Sequence, residues 1–167
     1  VISVTFEVIK PQVRLVGQGV ILPSSGGLLF PFQAVSLRAV EVSVTRIFER
    51  NIAQFLQVNN LSGQSELRRV GRMMLRKTVL LDQGGQADFS RWNTYHIDLS
   101  NLIKTEPGAI YQVTINFRRE HSTYSCDGSD ATQPIEMIDE RYASSDDVPQ
   151  TYYYYDDYNY DYYYYDW

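Results

Sequence analysis

The sequence has one cysteine, two histidines and no long uninterrupted apolar run. A single cysteine, Cys126, cannot form a disulfide within the chain or a thiolate metal cluster. The longest uncharged stretch, residues 15–37, contains four glycines and two prolines, which excludes a transmembrane helix there. No window carries a sustained apolar stripe at helical spacing. An initiator methionine and a signal peptide are also absent, so we expect any targeting segment to have been removed or to lie upstream.

Lysine and arginine are absent from residues 144–167, where six of the 20 acidic residues and ten of the 14 tyrosines lie. The rest of the chain holds 15 basic and 14 acidic residues and is therefore almost neutral. This acidic balance argues against a nucleic-acid partner, because phosphate contacts need a basic surface. We predict a folded domain over residues 1–124, followed by a polar linker and an acidic tyrosine-rich tail over residues 125–167.

Alternation of apolar and polar residues dominates the predicted domain, as expected for strands that are solvated on one face. The strongest strand candidates are residues 1–8, 39–48, 95–100 and 109–117. Weaker candidates are residues 12–16, 28–32, 52–58 and 75–81. Turn signals rich in glycine, proline and asparagine separate them. The pattern predicts an all-β fold, an antiparallel β-sandwich of seven to eight strands with immunoglobulin-like or fibronectin-like architecture.

Few residues in the chain suggest a reactive centre. His96 and His121 have no cysteine or second histidine at ligand spacing, so we predict two surface residues and no metal site. Cys126 has no partner that would activate it as a nucleophile. It is predicted to be a free thiol or one paired outside the chain. Gly17-Gln18-Gly19 lacks the third glycine and the following helix of a phosphate-binding loop, and a chain bend is the better interpretation.

The acidic residues of the domain are also scattered. Asp82, Asp88 and Asp98 fall on turns and a strand, without the spacing of a calcium loop or a defined carboxylate pair. Asn60-Leu61-Ser62 matches a glycosylation sequon, a triplet too common to carry weight. Because no nucleophile, acid–base pair or ligand set can be assembled, we predict a protein that is not an enzyme and needs no cofactor.

One local excess of positive charge stands out, formed by Arg68, Arg69, Arg72, Arg76 and Lys77. A polyanion site is one interpretation of such a run. A solvated strand face is the other, and we favour it because apolar residues interrupt the run and no aromatic platform accompanies it.

The tail leaves three interpretations open. Its acidic, low-complexity composition is typical of disorder, whereas its many tyrosines offer rigid contact surface. A calcium or basic-ligand site built from its aspartates is less favoured. We favour a segment that lies along a neighbouring surface, either its own domain's or a partner's. The predicted interdomain contact residues are Tyr152, Tyr153, Tyr154, Tyr155, Tyr158, Tyr160 and Trp167.

Residues 11–23 have the spacing P-x-V-x-x-x-G-x-G-x-x-L-P, and an alternating strand pair follows over residues 30–44. In these motifs, residues 6–126 resemble one domain of the bacterial alpha-2-macroglobulin-like proteins, whose opening and next strand pair are similar. Arg46-Ile47-Phe48, Asn51 and Trp92 continue the likeness, as do residues 95–100 and 107–111. The sequence departs from the family pattern at Phe30 and Ser36, where leucine and asparagine are usual.

The resemblance implies a macroglobulin-like β-sandwich, the third of a multi-domain chain that traps proteases after cleavage of a bait segment. No thioester Cys–Gln element is present, since Asp127 follows Cys126. The thioester and bait would then lie in other domains. The resemblance also implies a periplasmic or cell-surface location, with lipid anchoring through the parent protein as one option. In that setting we expect Cys126 to pair with a cysteine beyond Trp167.

Three functions follow from these observations. The favoured one is a non-catalytic structural module of an exported protease inhibitor, which packs against neighbouring domains and meets target proteases through the intact protein. Ile52, Phe55 and Leu56 are candidate contacts, although core packing explains them equally well. The alternative is a stand-alone cell-surface binding module that uses the tyrosine-rich tail to bind carbohydrate or protein. An enzyme is the least favoured.

Overall fold

The computed structural model describes residues 9–17, 27–60, 67–82, 88–123 and 134–142, with residue 68 described by its backbone alone. The predicted first strand, residues 1–8, lies outside them. The described strands are β1 (Gln12–Leu15), β2 (Leu29–Val35), β3 (Ala39–Ile47), β4 (Gly71–Leu80), β5 (Asn93–Asp98), β6 (Ile110–Asn116) and β7 (Asp139–Arg141). The described helices are α1 (Ile52–Val58), α2 (Leu67–Val70) and three single 3₁₀ turns. None of these helices is long and apolar enough to cross a membrane.

The strands form two antiparallel sheets, which confirms the predicted all-β sandwich. One sheet has the order β1-β2-β5 and the other the order β6-β3-β4-β7. The main apolar core includes Val40, Val42 and Val44 of β3, all with no exposed surface. It also includes Phe32 of β2, whose ring stacks on Tyr95 of β5 at a centroid distance of 5.6 Å. Because side chains alternate along a strand, these three valines share the inner face of β3.

Residues 52–58, predicted as a weak strand, form helix α1 instead. Phe55 of this helix is buried and packs with Ile47 and Val70 in a second apolar cluster, against which Ile52 also lies. Ile47 is an odd-numbered residue of β3, so it points to the face opposite the three valines. The strand prediction was wrong because this segment packs on the outer face of the sheet as a helix. In that conformation Phe55 covers Ile47 and Val70.

The junction of α2 and β4 brings two backbone segments unusually close. A Cβ atom added at Gly71 would lie 2.8 Å from the carbonyl oxygen of Arg46, which is closer than a side-chain carbon tolerates. The β3–β4 register shifts nearby, with Val44 opposite Leu75 and Thr45 opposite Met73. Met74 is therefore the extra residue of a β-bulge. The glycine and the bulge allow the chain to pass from α2 directly into β4 while β4 stays paired with β3.

Ser36 connects three segments beyond the end of β2. Its backbone donates to the carbonyl of Phe89 at 2.7 Å and accepts from the amide of Thr123 at 2.9 Å, and its hydroxyl donates to the carbonyl of Ile9. The residue is buried, and its φ of 55° lies in the left-handed region that few residues other than glycine, asparagine and aspartate adopt readily. The three hydrogen bonds hold it in this conformation.

The predicted polar linker contributes a strand to the sandwich. Residues 139–141 form β7, which pairs with the edge of β4 that does not contact β3. All three β7 residues are polar and exposed, so the segment has no apolar pattern from which a strand could be predicted. The described part of residues 125–167 therefore includes an edge strand of the sheet.

Candidate functional site

The outer face of the four-stranded sheet holds an ionic cluster centred on Glu41. Residues 40, 42 and 44 of β3 point inward, so Glu41 points outward, between β4 and β6. Its Oε1 atom accepts from Nε of Arg76 at 2.8 Å. Its Oε2 atom accepts from Nε of Arg118 at 3.0 Å and lies 2.9 Å from Nη2 of the same guanidinium. The Glu41 side chain is only 9% exposed. A carboxylate removed from water to this extent needs such partners, because burying it alone would cost several kcal/mol.

Arg118 extends the cluster to the segment that carries β7. Its Nη1 atom donates to Oε2 of Glu136 at 2.7 Å. Beside this pair, the hydroxyl of Thr78 accepts from the amide of Ile138 and donates to the carbonyl of Glu136, both at 3.1 Å. We name Glu41, Arg76, Arg118 and Glu136 the ionic cluster. It joins β3, β4 and the second residue after β6 to a segment that lies 18 residues further along the chain, so it specifies how these elements are aligned.

His121 was predicted to be a surface residue, and the structure shows that this was wrong. The side chain has no exposed surface, and its Nδ1 atom accepts from the amide of Arg118 at 3.1 Å. Its backbone carbonyl accepts from the amide of Arg38 at 2.7 Å. No described residue pairs with the buried Nε2 atom. Burial lowers the pKa of His121, with Arg118 and Arg38 acting in the same direction and Glu120 and Glu41 opposing. The neutral imidazole is therefore favoured in the folded protein.

Within the described residues, the ionisable groups of this face are used to satisfy one another. Both oxygens of Glu41 are occupied by guanidinium groups, so this carboxylate is not presented to a substrate. No group of three His, Cys, Asp or Glu side chains in the described part of the chain could hold a metal ion. The cluster links neighbouring strands through ion pairs. It offers no nucleophile next to a base.

A second charged feature is a pocket at the start of β4, which we call the arginine pocket. It encloses about 220 Å³ and is lined by Phe48, Arg50, Asn51, Arg69, Arg72 and the backbone at residues 70–71. The guanidinium of Arg50 lies 5.5 Å from the centre of the Phe48 ring, and that of Arg46 lies 4.7 Å from the same ring. Asn51 closes one side by donating to the carbonyl of Val70 at 2.9 Å. The chemistry of such a lining favours an anionic group.

The four described side chains of the predicted basic run are divided among the ionic cluster, the arginine pocket and an ion pair with β7. Arg76 belongs to the ionic cluster, and Lys77 pairs with Asp139 of β7 at 3.3 Å. Arg69 and Arg72 line the arginine pocket. These four side chains therefore form neither one solvated face nor one continuous polyanion surface. The bulge at Met74 and the helix-to-strand transition at residue 71 send them in different directions.

Two of the scattered acidic residues, Asp88 and Asp98, stabilise turns by accepting hydrogen bonds from a serine two residues further on. The Asp88 carboxylate accepts from the amide of Ser90 at 3.1 Å, and hydrogen bonds to Ser90 lower the pKa of Asp88. The Asp98 carboxylate accepts from the amide of Ser100 at 3.0 Å, which starts the turn after β5. His96, predicted on a polar strand face, is exposed. The structure does not bring these residues together with one another.

The proposed contact residues on α1 divide between core and surface. Phe55 is a core residue and Ile52 packs beside it, whereas Leu56 is 46% exposed. Further exposed apolar side chains surround β1 and the start of β2, namely Ile9, Leu15, Val16 and Leu29. The apolar surface available for contact is thus found at the β1 edge as well as on α1.

Several predicted site residues lie outside the described residues. These are Cys126 and the tail residues Tyr152, Tyr153, Tyr154, Tyr155, Tyr158, Tyr160 and Trp167. Gln18 and Gly19 of the glycine turn and the second and third residues of the sequon also fall outside. Their predicted roles stay predictions.

Sequence reasoning missed the ionic cluster and the arginine pocket. A signal for the cluster existed, because Glu41 is an acidic residue flanked by apolar residues in the strongest strand pattern of the chain. Pairing β3 with β4 would have placed that carboxylate beside the basic run. The contribution of Arg118 and Glu136 depends on contacts across 77 and 18 residues respectively, and no local pattern reveals them.

Comparisons of this chain with protein-family models, with curated proteins and with solved structures returned no match.

Proposed function

We propose that this chain is a non-catalytic structural module of an exported bacterial protease inhibitor of the alpha-2-macroglobulin-like class. In this role it packs against neighbouring domains of a longer parent chain, in the periplasm or at the cell surface. Target proteases meet the intact protein rather than this module. The observation that carries the proposal is the exposed apolar edge at β1, where Ile9 is 40%, Leu15 56% and Val16 44% exposed.

This edge has the geometry of a surface that another domain would cover. Val13 of β1 pairs with Ala34 and packs against the core, and Leu15 pairs with Phe32, which is fully buried. Directly paired residues share a face of the sheet, so Leu15 points to the same side as the core. It is nevertheless more than half exposed, because β1 is the outermost described strand of its sheet. Leu29, at the same end of the sheet, is 49% exposed.

The backbone of Ser36 supports the suggested family. The family pattern has asparagine where this chain has Ser36. The φ of this residue is 55°, and asparagine enters the left-handed region more readily than serine does. The position thus has the conformation that the family residue suits.

The ion pairs among the described residues support a structural, non-catalytic role. Glu41 is held by Arg76 and Arg118, and the bidentate pair of Arg46 and Glu106 fixes the turn before β6 to β3. These groups hold strands and turns in place. Charged side chains that already satisfy one another are typical of scaffolds rather than of sites that must bind a transition state.

The first test is the reading frame on both sides of this segment. We expect further β-sandwich domains and a domain with a thioester or bait segment. A reading frame without either would reject the proposal. A glycan array of the chain with and without residues 144–167 tests the alternative, because tail-dependent sugar binding would favour a surface binding module instead.

The second test uses the β1 edge itself. The double substitution Leu15→Asp/Val16→Asp should leave the free energy of unfolding of this chain nearly unchanged, since both side chains are already exposed. In the intact parent it should expose the domain junction to limited proteolysis. His96→Asp, on the exposed side of β5, is the matched control and should leave the junction protected. Equal protection of the junction in all three proteins would contradict a packing role for this edge.

A further inference from the structure

The imidazole of His121 holds the turn after β6 in an arrangement that requires an uncharged ring. Its Nδ1 atom accepts from the amide of Arg118 at 3.1 Å, so this nitrogen carries no proton. A protonated imidazole donates from both nitrogens and accepts at neither. Because the ring has no exposed surface, protonation would place two donors against each other inside the protein. The hydrogen bond that shapes the turn is therefore incompatible with a charged His121.

The surroundings of His121 also disfavour the charged ring. Burial is the strongest influence and lowers the pKa of the imidazole. The guanidinium groups of Arg118 on the same turn and of Arg38 in the connection between β2 and β3 act in the same direction. The carboxylates of Glu120 on the turn and of Glu41 on β3 oppose them. No described residue pairs with the Nε2 atom. The charged ring is therefore more stable where water reaches it, which requires the turn to open.

Two backbone hydrogen bonds attach this turn to the connection between β2 and β3. The amide of Arg38 donates to the carbonyl of His121 at 2.7 Å, and the amide of Thr123 donates to the carbonyl of Ser36 at 2.9 Å. Leu37 lies between these two attachment points and is only 1% exposed. The turn that depends on an uncharged imidazole therefore also fixes a connection between the two sheets and covers part of the core.

The attachment at Ser36 is under backbone strain. The φ of this residue is 55°, a conformation that costs free energy for a residue other than glycine. The amide of Thr123 supplies one of the three hydrogen bonds that hold Ser36 in this conformation. Loss of that bond lets the backbone of Ser36 relax toward an ordinary conformation, so the strain favours release once the turn begins to open.

We propose that residues 118–123 form an acid-sensitive latch: protonation of His121 detaches this turn from residues 36–38 while the two sheets remain folded. The buried residues of the main core carry no ionisable group, so their packing does not respond to the same proton. Detachment uncovers Leu37. The latch is independent of the proposed function, because it requires neither a neighbouring domain nor an inhibitor.

The test is amide hydrogen exchange of the complete 167-residue chain, expressed as protection factors. Protection of the Arg38 and Thr123 amides should fall about ten-fold from about pH 7.5 to about pH 5.5, the ratio for uptake of one proton with the ordinary histidine pKa. At the lower pH these amides should exchange at least about ten-fold faster than that of Val42 in the central strand, and with little dependence on urea, as local openings do. Equal protection of the three amides would mean that His121 is protonated only on global unfolding, which overturns the proposal.

Two variants assign the response to one histidine. The amide oxygen of glutamine accepts a hydrogen bond but takes up no proton near neutrality. In His121→Gln the protection of the Arg38 and Thr123 amides should therefore change less than about two-fold over the same pH range. His96→Gln, at the exposed histidine of β5, is the matched control and should keep the ten-fold response. A response that persists in His121→Gln, or that disappears in His96→Gln, would overturn the proposal.

A third measurement needs no variant, so it stands even where His121→Gln does not fold. The nitrogen resonances of the His121 imidazole at about pH 7.5 should show a proton on Nε2 and none on Nδ1, because Nδ1 is the acceptor for the Arg118 amide. A proton on Nδ1 at this pH would mean that the turn is not held by an uncharged acceptor, and it would overturn the proposal.

Discussion

The two faces of strand β3 are covered by different means. The inner face carries Val40, Val42 and Val44, which pack into an apolar core. The outer face carries Glu41, buried under two guanidinium groups. Apolar packing is non-directional and tolerates several arrangements of similar volume. Charged hydrogen bonds require particular atoms at particular distances, so the outer face specifies alignment more strictly.

The outer face is itself divided. At the end of β3, Ile47 is covered by Phe55 of α1, whereas near the start of the strand Glu41 is covered by arginine side chains. A short helix therefore covers the outer face at one end of β3, and the ionic cluster covers it toward the other end. The comparison suggests that the apolar face supplies most of the folding free energy and the ionic face fixes the position of β7.

The largest effect is expected on the inner face. Leu75→Ala, at a fully buried position of β4, should lower the free energy of unfolding by about 2–5 kcal/mol, because it removes apolar contacts and leaves a cavity. Leu80→Ala is the matched control on the same strand, where the side chain is 41% exposed. Urea unfolding measures both. A loss at Leu80 as large as that at Leu75 would remove the distinction between core and edge.

The next effect tests the ionic cluster. Glu41→Gln should cost about 2–3 kcal/mol, because it leaves two largely buried guanidinium groups without their carboxylate. Glu136→Gln removes a carboxylate from the same Arg118, but Glu136 is 69% exposed. This control should therefore cost less than about 1 kcal/mol. Similar losses in the two variants, measured by denaturant unfolding, would show that burial does not set the strength of the cluster.

A pH-dependent effect of intermediate size is expected from His121. Burial lowers its pKa from 6.5, so the unfolded state takes up a proton as the pH falls through 6.5 while the folded state does not. Stability should therefore decrease below that pH, by at most about 1.4 kcal/mol per pH unit. An NMR titration of the His121 imidazole in the folded chain gives its pKa directly. A value at or above 6.5 would contradict the prediction.

The loss of stability that protonation of His121 causes is separable from the loss that protonation of the aspartates causes. Hydrogen bonds with Ser90 lower the pKa of Asp88, and hydrogen bonds with Lys77 and Arg141 lower that of Asp139. Their contributions are lost only as the pH falls below about 3.8, the ordinary value of an aspartate. His121→Gln should therefore flatten the pH dependence of stability near neutrality and leave the acid limb unchanged.

The smallest effects compare two neighbouring residues that hold β7. Thr78→Val should cost about 1–2 kcal/mol, because the buried hydroxyl makes two hydrogen bonds to the backbone of residues 136–138. Lys77→Gln should cost less than about 0.5 kcal/mol, since its partner Asp139 is half exposed. Amide exchange of Tyr142 should rise in the first variant and hardly in the second. The reverse order would assign the attachment of β7 to the ion pair.

The accuracy of the sequence-based prediction differed between elements for physical reasons. The pattern of β3 was clear because its valines alternate with polar residues. Residues 52–58 fitted two periods at once: Ile52, Leu56 and Val58 alternate as in a strand, while Ile52, Phe55 and Leu56 have helical spacing. Packing of Phe55 against Ile47 and Val70 favours the helix. β7 has no apolar residue, so only the free edge of β4 makes it a strand.

The candidate sites were less predictable than the fold. The basic run was visible in the sequence, but the separation of Arg76 from Arg69 and Arg72 depends on the bulge and on the transition from α2 to β4. His121 was assigned to the surface because it follows the last strong strand pattern and has no cysteine or second histidine at ligand spacing. It is buried because the turn after β6 folds back onto Ser36 and Arg38, contacts made across more than 80 residues.

What the sequence determined by itself is the class of structure: a two-residue period of apolar side chains suffices to form sheets with one buried face, whatever the rest of the chain does. It also determined the contrast between a nearly neutral domain and an acidic end, since charge is a property of composition alone. The tertiary structure decided which charges are buried and which strand closes the edge. Those outcomes depend on contacts between residues far apart in the chain, and such contacts exist only after the sheets have assembled.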